Sequence, residues 1–217
     1  MRYSRDRVDL AVKHLRAADP VLRAVIRRVG PFTLRPQRDR FGMLVRSIIS
    51  QQISVLAARS IRRRLESLVL PERPSAENLG SLSLEQLRSA GLSPQKSSYL
   101  ADLCGRVRDG RLDLRTIGRQ PDEAVIADLV QVKGIGRWTA QMFLIFALGR
   151  LDVLPHDDLG VRAAIRRLYG LAELPDRATS ERIARPWRPF ASVASWYCWR
   201  SIDLARNGDK PEQGYPV

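Results

Sequence analysis

Two segments of the chain combine residue types at a spacing that can do chemistry. The first runs Leu129-Val130-Gln131-Val132-Lys133-Gly134-Ile135-Gly136-Arg137-Trp138-Thr139-Ala140. Two glycines two apart, set between helical patterns, allow a tight hairpin with exposed backbone N–H groups. Those amides fall at a helix N-terminus, where the helix dipole and unpaired donors favour an anion such as phosphate. Lys133 and Arg137 flank the turn and add positive charge. A dinucleotide fingerprint is excluded, because its third glycine belongs where Thr139 stands and no strand precedes the turn. The second segment is Val153-Leu154-Pro155-His156-Asp157-Asp158-Leu159-Gly160-Val161-Arg162. Two carboxylates at a helix start are ordinarily just a cap. A carboxylate beside a phosphate-binding element would repel the phosphate, however, and that placement points to chemistry at a developing positive charge.

The whole chain supports a polyanion as partner. It has 217 residues, with 37 Lys plus Arg against 23 Asp plus Glu, a formal net charge of +14 and a pI near 11.0. With 44% hydrophobic and 28% charged residues the composition is that of a folded globular protein, and a protein this basic usually meets nucleic acid. Only Lys13, Lys96, Lys133 and Lys210 are lysines. Cys104 and Cys198 are too few for a four-thiolate zinc site or an iron–sulfur cluster, and a reducing compartment is the default for so few thiols. His14 and His156, the two histidines, leave no zinc-deaminase signature. The opening MRYSRDRVDL lacks a signal-type apolar run, and no stretch approaches the roughly 18 apolar residues of a membrane span. A cytoplasmic protein with a nucleic-acid partner and no membrane partner is expected.

The elements that must position these residues read as helices throughout. Asp19-Pro20 opens a helix that Gly30-Pro31 stops. An apolar stripe from Phe41 to Ile49 reaches Gln51-Gln52, and Ser54 caps a helix through Ile61 and Leu65. Pro71 to Ser75 is a turn, Ser83 with Gln86 is a capping box, and Ser93-Pro94 starts a helix closed by Gly110. Helices follow over Asp122–Val130 and Arg137–Leu148, from Asp157 or Asp158 to Leu168, and between Phe190 and Ala205. The fold class is all-α.

Four ordered motifs, SIISQQIS (Ser47–Ser54), GLSPQKSSYL (Gly91–Leu100), GIGRWTA (Gly134–Ala140) and LPHDDLGVR (Leu154–Arg162), together resemble the helix-hairpin-helix superfamily of DNA glycosylases. Within it they are similar to bacterial 3-methyladenine-DNA glycosylase II. The resemblance spans Phe41 to about Trp199. It implies two helical lobes: residues 42–155 as a central barrel carrying the hairpin, and 1–41 plus 156–217 as a second lobe carrying the catalytic Asp, with the active-site cleft between them. Larger relatives carry an N-terminal β-rich domain, and a short form without it is expected here.

Carried over by position, the resemblance puts the catalytic carboxylate at Asp158, with Asp157 as the alternative. Val161, an apolar residue three positions on, favours Asp158. The implied role is electrostatic: cleaving an N-glycosidic bond builds oxocarbenium character on the sugar, which a fixed carboxylate stabilises. The implied base pocket holds Trp138, Trp196, Met142 and Leu159, the last two where some relatives have Tyr. Gln52 falls where the family inserts a side chain into the gap left by the flipped nucleotide. The implied DNA contacts at the hairpin are Lys133, Gly134, Ile135, Gly136, Arg137 and Thr139. Strand-nicking relatives carry a Lys where this chain has Trp138, so a monofunctional enzyme without lyase activity is expected. No cofactor is required, although the carbonyls of Val130, Val132 and Ile135 could hold a structural Na⁺ or K⁺. The expected partner is double-stranded DNA with alkylated bases, bound by a monomer. The competing readings are a non-catalytic DNA-binding scaffold and a glycosylase for oxidised or mismatched bases.

Overall fold

The computed structural model describes residues 5–207. Among them every regular element is a helix, and none is long and apolar enough to cross a membrane. The chain divides into two compact units.

The first, residues 37–143, contains α3 (Arg40–Ser50), α4 (Val55–Ser67), α5 (Ala76–Gly80), α6 (Leu84–Ser89), α7 (Pro94–Arg108), α8 (Asp122–Leu129) and the start of α9 (Arg137–Phe146). Serine caps set where several of these begin. The Ser54 hydroxyl accepts from Ala57 N (3.2 Å), and Ser83 and Gln86 exchange reciprocal bonds (3.1 and 2.8 Å). α7 packs against α3, α5 and α6, and burial of Met43, Leu44, Ile48, Leu79, Leu100 and Leu103 makes the core. Each such aliphatic side chain contributes roughly 1.5–3 kcal/mol.

The second unit joins residues 5–36 to 144–207: α1 (Arg5–Ala18), α2 (Pro20–Val29), α10 (Leu159–Leu168), α11 (Arg177–Ala184) and α12 (Ala191–Asn207). α12 packs on α1, α2 and α10 around Leu15, Leu22, Ile165, Trp187 and Tyr197. Asp19 caps α2 with Oδ1, which accepts from Val21 N (2.8 Å) and Leu22 N (3.0 Å). Its Oδ2 accepts from Trp187 Nε1 (2.9 Å) and from the Tyr169 hydroxyl, so a buried charge is fully hydrogen-bonded. Both cysteines are buried free thiols, Cys104 in the first unit and Cys198 in the second. Burial pushes the Cys104 thiol up to about 12 and raises that of Cys198 as well.

The breaks between units fall at 36/37 and 143/144, not at 41/42 and 155/156 as expected. The later boundary moves because residues 151–153 are tied to the start of α12. Ser192 N donates to Leu151 O (3.0 Å), Val153 N donates to the Ser192 hydroxyl (2.9 Å), and Ala191 N donates to Asp152 Oδ1 (3.1 Å). The termini of the expected second lobe, residues 1–4 and 208–217, lie outside the described residues, as does Lys210.

Candidate active site and nucleic-acid interface

Asp158 is the N-cap of α10. Its Oδ1 accepts from Val161 N at 2.8 Å, the bond that lets the helix start there. The same oxygen accepts from Trp199 Nε1 at 2.8 Å. Trp199 comes from α12 and its ring stacks on Phe146, with centroids 5.5 Å apart and planes 24° from parallel. The backbone closes the loop: Asp158 N donates to Pro155 O (2.9 Å), and Arg162 N donates to Asp158 O (2.9 Å). Asp158 is thus a 9%-exposed carboxylate held by two N–H donors, one from its own helix and one from a neighbour. Gly160 lets the indole approach, since a Cβ there would lie 3.0 Å from Trp199 Cδ1 and 3.1 Å from Asp158 Oδ1. Asp157 is exposed and meets His156 Nε2 at 3.3 Å.

The hairpin follows α8. Gly134 has φ +78°, and a Cβ on it would sit 2.1 Å from the ring of Tyr99, so glycine is required there on both counts. Beside it, Lys133 N donates to Asp102 Oδ2 (2.9 Å), and Arg106 Nε reaches the same oxygen (2.9 Å). Burial pushes the Asp102 carboxyl up, but these donors outweigh it and hold it below the usual range. Ile135 N donates to Val132 O (3.0 Å). Lys133 therefore spends its amide on Asp102 of α7, and Ile135 spends its own inside the hairpin. The N–H groups of Gly134 and Gly136 have no acceptor among the described residues and suit an anion. The side chains of Ile135 and Thr139 are buried, so any contact they make with phosphate falls to the backbone. The Lys133 side chain is exposed, and the Arg137 guanidinium makes a two-pronged pair with Glu123 (2.9 and 2.5 Å). Exposed pairs of this kind are worth at most about 1 kcal/mol, so a phosphate can take Arg137 over at little cost.

Gln52 is the described non-glycine residue with positive φ (57°), and it is exposed just beyond the end of α3. Its neighbour Gln51 donates from Nε2 to Gly134 O at 2.8 Å. Folding thus brings the turn of residues 51–53 against the hairpin. Of the expected pocket residues, Trp138 (37% exposed) and Leu159 (64%) are open to solvent, whereas Met142 is buried. Trp196 is 3% exposed and packs edge-on against Phe32 (4.8 Å) and Tyr197 (4.9 Å), the environment of a core aromatic.

The hairpin carbonyls expected to hold a monovalent cation are those of Val130, Val132 and Ile135. Val132 O already accepts Ile135 N–H but keeps a second lone pair, and no described N–H outside the helices reaches Val130 O or Ile135 O. This neutral oxygen set lacks the carboxylates a divalent ion prefers, and no cluster of three His, Cys, Asp or Glu exists among the described residues.

A residue that spacing could not single out is Trp199. Its partner lies 41 positions away, and a terminal-helix aromatic carries no signal of what its N–H will meet.

The chain belongs to the HhH-GPD superfamily of base excision DNA repair proteins, whose model matches residues 45–189. It is 32% identical over 199 residues to DNA-3-methyladenine glycosylase 1 of Schizosaccharomyces pombe, covering 88% of this chain and 86% of that one. Among solved structures it resembles a DNA-3-methyladenine glycosidase from Bacillus halodurans (TM-score 0.82, 37% identity, 92% of this chain and 93% of that one). It also resembles the S. pombe 3-methyladenine DNA glycosylase Mag1 in complex with abasic DNA (TM-score 0.79, 31% identity, 93% and 99%).

Proposed function

We propose that this protein is a monofunctional DNA glycosylase that flips alkylated bases, 3-methyladenine and similar purines, out of duplex DNA and hydrolyses their N-glycosidic bond. The observation that carries the reading is Asp158: a largely buried carboxylate, locked by Val161 N and Trp199 Nε1, in a chain of the base excision family. An alkylated purine already bears positive charge, so the C1′–N bond breaks with its electron pair leaving on a neutral base. Positive charge passes to the sugar, where Asp158 stabilises it electrostatically. Water then adds its oxygen to C1′ and releases a proton, leaving an abasic strand. Trp199 keeps the carboxylate from turning away during this step, because reorientation at the moment of reaction would cost what fixed geometry saves.

The Gly134 and Gly136 amides, with Lys133 and Arg137, grip backbone phosphate and carry no base information. Gln52 fills the gap left by the extruded nucleotide, and Trp138 and Leu159 border the base. A Na⁺ or K⁺ held by Val130, Val132 and Ile135 carbonyls would brace the turn and add positive charge near phosphate. Trp138 stands where a lyase needs an amine, which supports hydrolysis without strand nicking. The chain works on double-stranded DNA as a monomer in the cytoplasm. The test is incubation with duplexes that each carry one alkylated base, followed by hot alkali. Cleavage at 3-methyladenine that Asp158→Asn abolishes is expected; an active Asp158→Asn, or no cleavage with any alkylated base, overturns the reading.

A further inference from the structure

Lys96 stands two residues inside the start of α7, yet its side chain serves another helix. Nζ donates to Ile49 O (2.6 Å) and to Gln51 O (2.7 Å), carbonyls at the C-terminal end of α3. Such carbonyls lack partners within their helix, and the negative end of its dipole favours a cation there. Partial burial lowers the pKa of the ammonium. The residue that follows these carbonyls is Gln52, in the left-handed region at φ 57°. A non-glycine residue stays in that region only where its surroundings over-determine it.

The same face of α7 also carries the hairpin. Tyr99 lies under Gly134, and Asp102 accepts from Lys133 N, so residues 96, 99 and 102 recur at helical spacing along one side. Gln51 joins the two loops directly through Gly134 O.

We infer that Lys96 is a positioning residue for base extrusion: its ammonium pins the end of α3, holds the Gln52 turn in its left-handed form and keeps it in register with the phosphate-gripping hairpin. Resting on the reading of Gln52 as the inserted side chain, this makes α7 the common mount of grip and insertion. On this reading Lys96 acts by holding the end of α3, not by gripping phosphate.

The experiment uses the full chain and a duplex with a neutral tetrahydrofuran abasic analogue next to 2-aminopurine, whose fluorescence rises when stacking is opened. Lys96→Met keeps the stem and removes the charge and donors. It should lose the fluorescence rise and slow single-turnover excision by about tenfold or more, as expected for hydrogen bonds from a charged group. Affinity for undamaged duplex, and its dependence on salt, should stay at wild-type values, since no phosphate contact is removed. Lys96→Arg should restore most of the fluorescence rise. Gln51→Leu, which cuts only the link to the hairpin, should reduce it in a chain whose α3 end is still capped. Gln52→Ala is the control. If it abolishes the rise while Lys96→Met behaves as wild type, the inference on Lys96 is overturned and Gln52 remains the inserted residue. If Gln52→Ala leaves the rise intact, the reading of Gln52 falls and the inference with it. A shallower salt dependence in Lys96→Met would make Lys96 a phosphate ligand and overturn the inference as well.

Discussion

Replacing Trp199 by Phe removes one N–H and leaves most of the rest. The ring that stacks on Phe146 is retained in kind, while the 2.8 Å bond to Asp158 Oδ1 is gone. A hydrogen bond to a charged group is worth about 1.5–3 kcal/mol. The bond is made before the reaction as well as during it, so only the part of it that fixes the carboxylate's orientation counts toward the barrier. Taking half gives about 0.75–1.5 kcal/mol, or roughly a four- to thirteenfold fall in the single-turnover rate. Val161 N still caps onto the remaining carboxylate, which is why the loss stops there. The assay is excision of 3-methyladenine with enzyme in excess, paired with binding to two abasic analogues, a cationic pyrrolidine and a neutral tetrahydrofuran. The preference for the cationic analogue measures how well the carboxylate is aimed at positive charge, and it should fall by the same factor as the rate. In an Asp158→Asn background the Trp199 change should have no further effect on that preference, since coupled residues are not additive. A Trp199→Phe enzyme with a wild-type rate and an unchanged preference would refute the argument that the indole aims Asp158.

Other expectations follow from the same geometry. Asp158→Asn should abolish excision yet bind DNA equally or better, and its melting temperature should barely move because Asn caps a helix as well as Asp; differential scanning fluorimetry and anisotropy check both halves. Gly134→Ala, forced to φ +78° and against Tyr99, should cost about 1 kcal/mol or more of stability and weaken binding to every duplex sequence alike. Gly136→Ala meets nothing within 4 Å, so it should melt like wild type, and any loss of DNA affinity would come from its methyl obstructing phosphate. No borohydride-trapped adduct and no strand cleavage without alkali are expected, and capture of either would assign an amine to the sugar. The Asp102 carboxyl sits below its ordinary range, so its stabilisation is fully present above that range and is lost as pH falls below it and through the lowered value. Melting of wild type and Asp102→Asn should therefore differ at neutral pH and converge in acid; a gap that persists in acid would contradict the assignment.

Where local chemistry fixes structure, the sequence is readable. The caps at Asp19, Ser54, Ser83 and Ser93 start the helices they announce, and the hairpin glycines and Asp158 stand in motifs a few residues long. The helices that escaped have weaker local signals. α1 is charged on most of its surface, α5 has only five residues and an Asn where a capping box usually has Glu or Gln, and α11 buries only Ser180 and Ala184. The supports of the site were hidden for a different reason. Lys96 reaches back 47 and 45 residues, Gln51 forward 83 and Trp199 back 41, and no periodicity encodes partners at such separations. The burial of Trp196 likewise depends on Phe32, far away in the chain.

The two thiols have a meaning for a protein that works where alkylating agents are present. A thiolate is the form of cysteine that such electrophiles attack, and a thiol is far less reactive. Cys104 and Cys198 are buried, and burial keeps their protons on well beyond physiological pH. An exposed, ionisable cysteine would be methylated under the same conditions that damage the DNA. This protein offers none among its described residues, so under the proposed function its cysteines are spared by the exposure that damages the DNA.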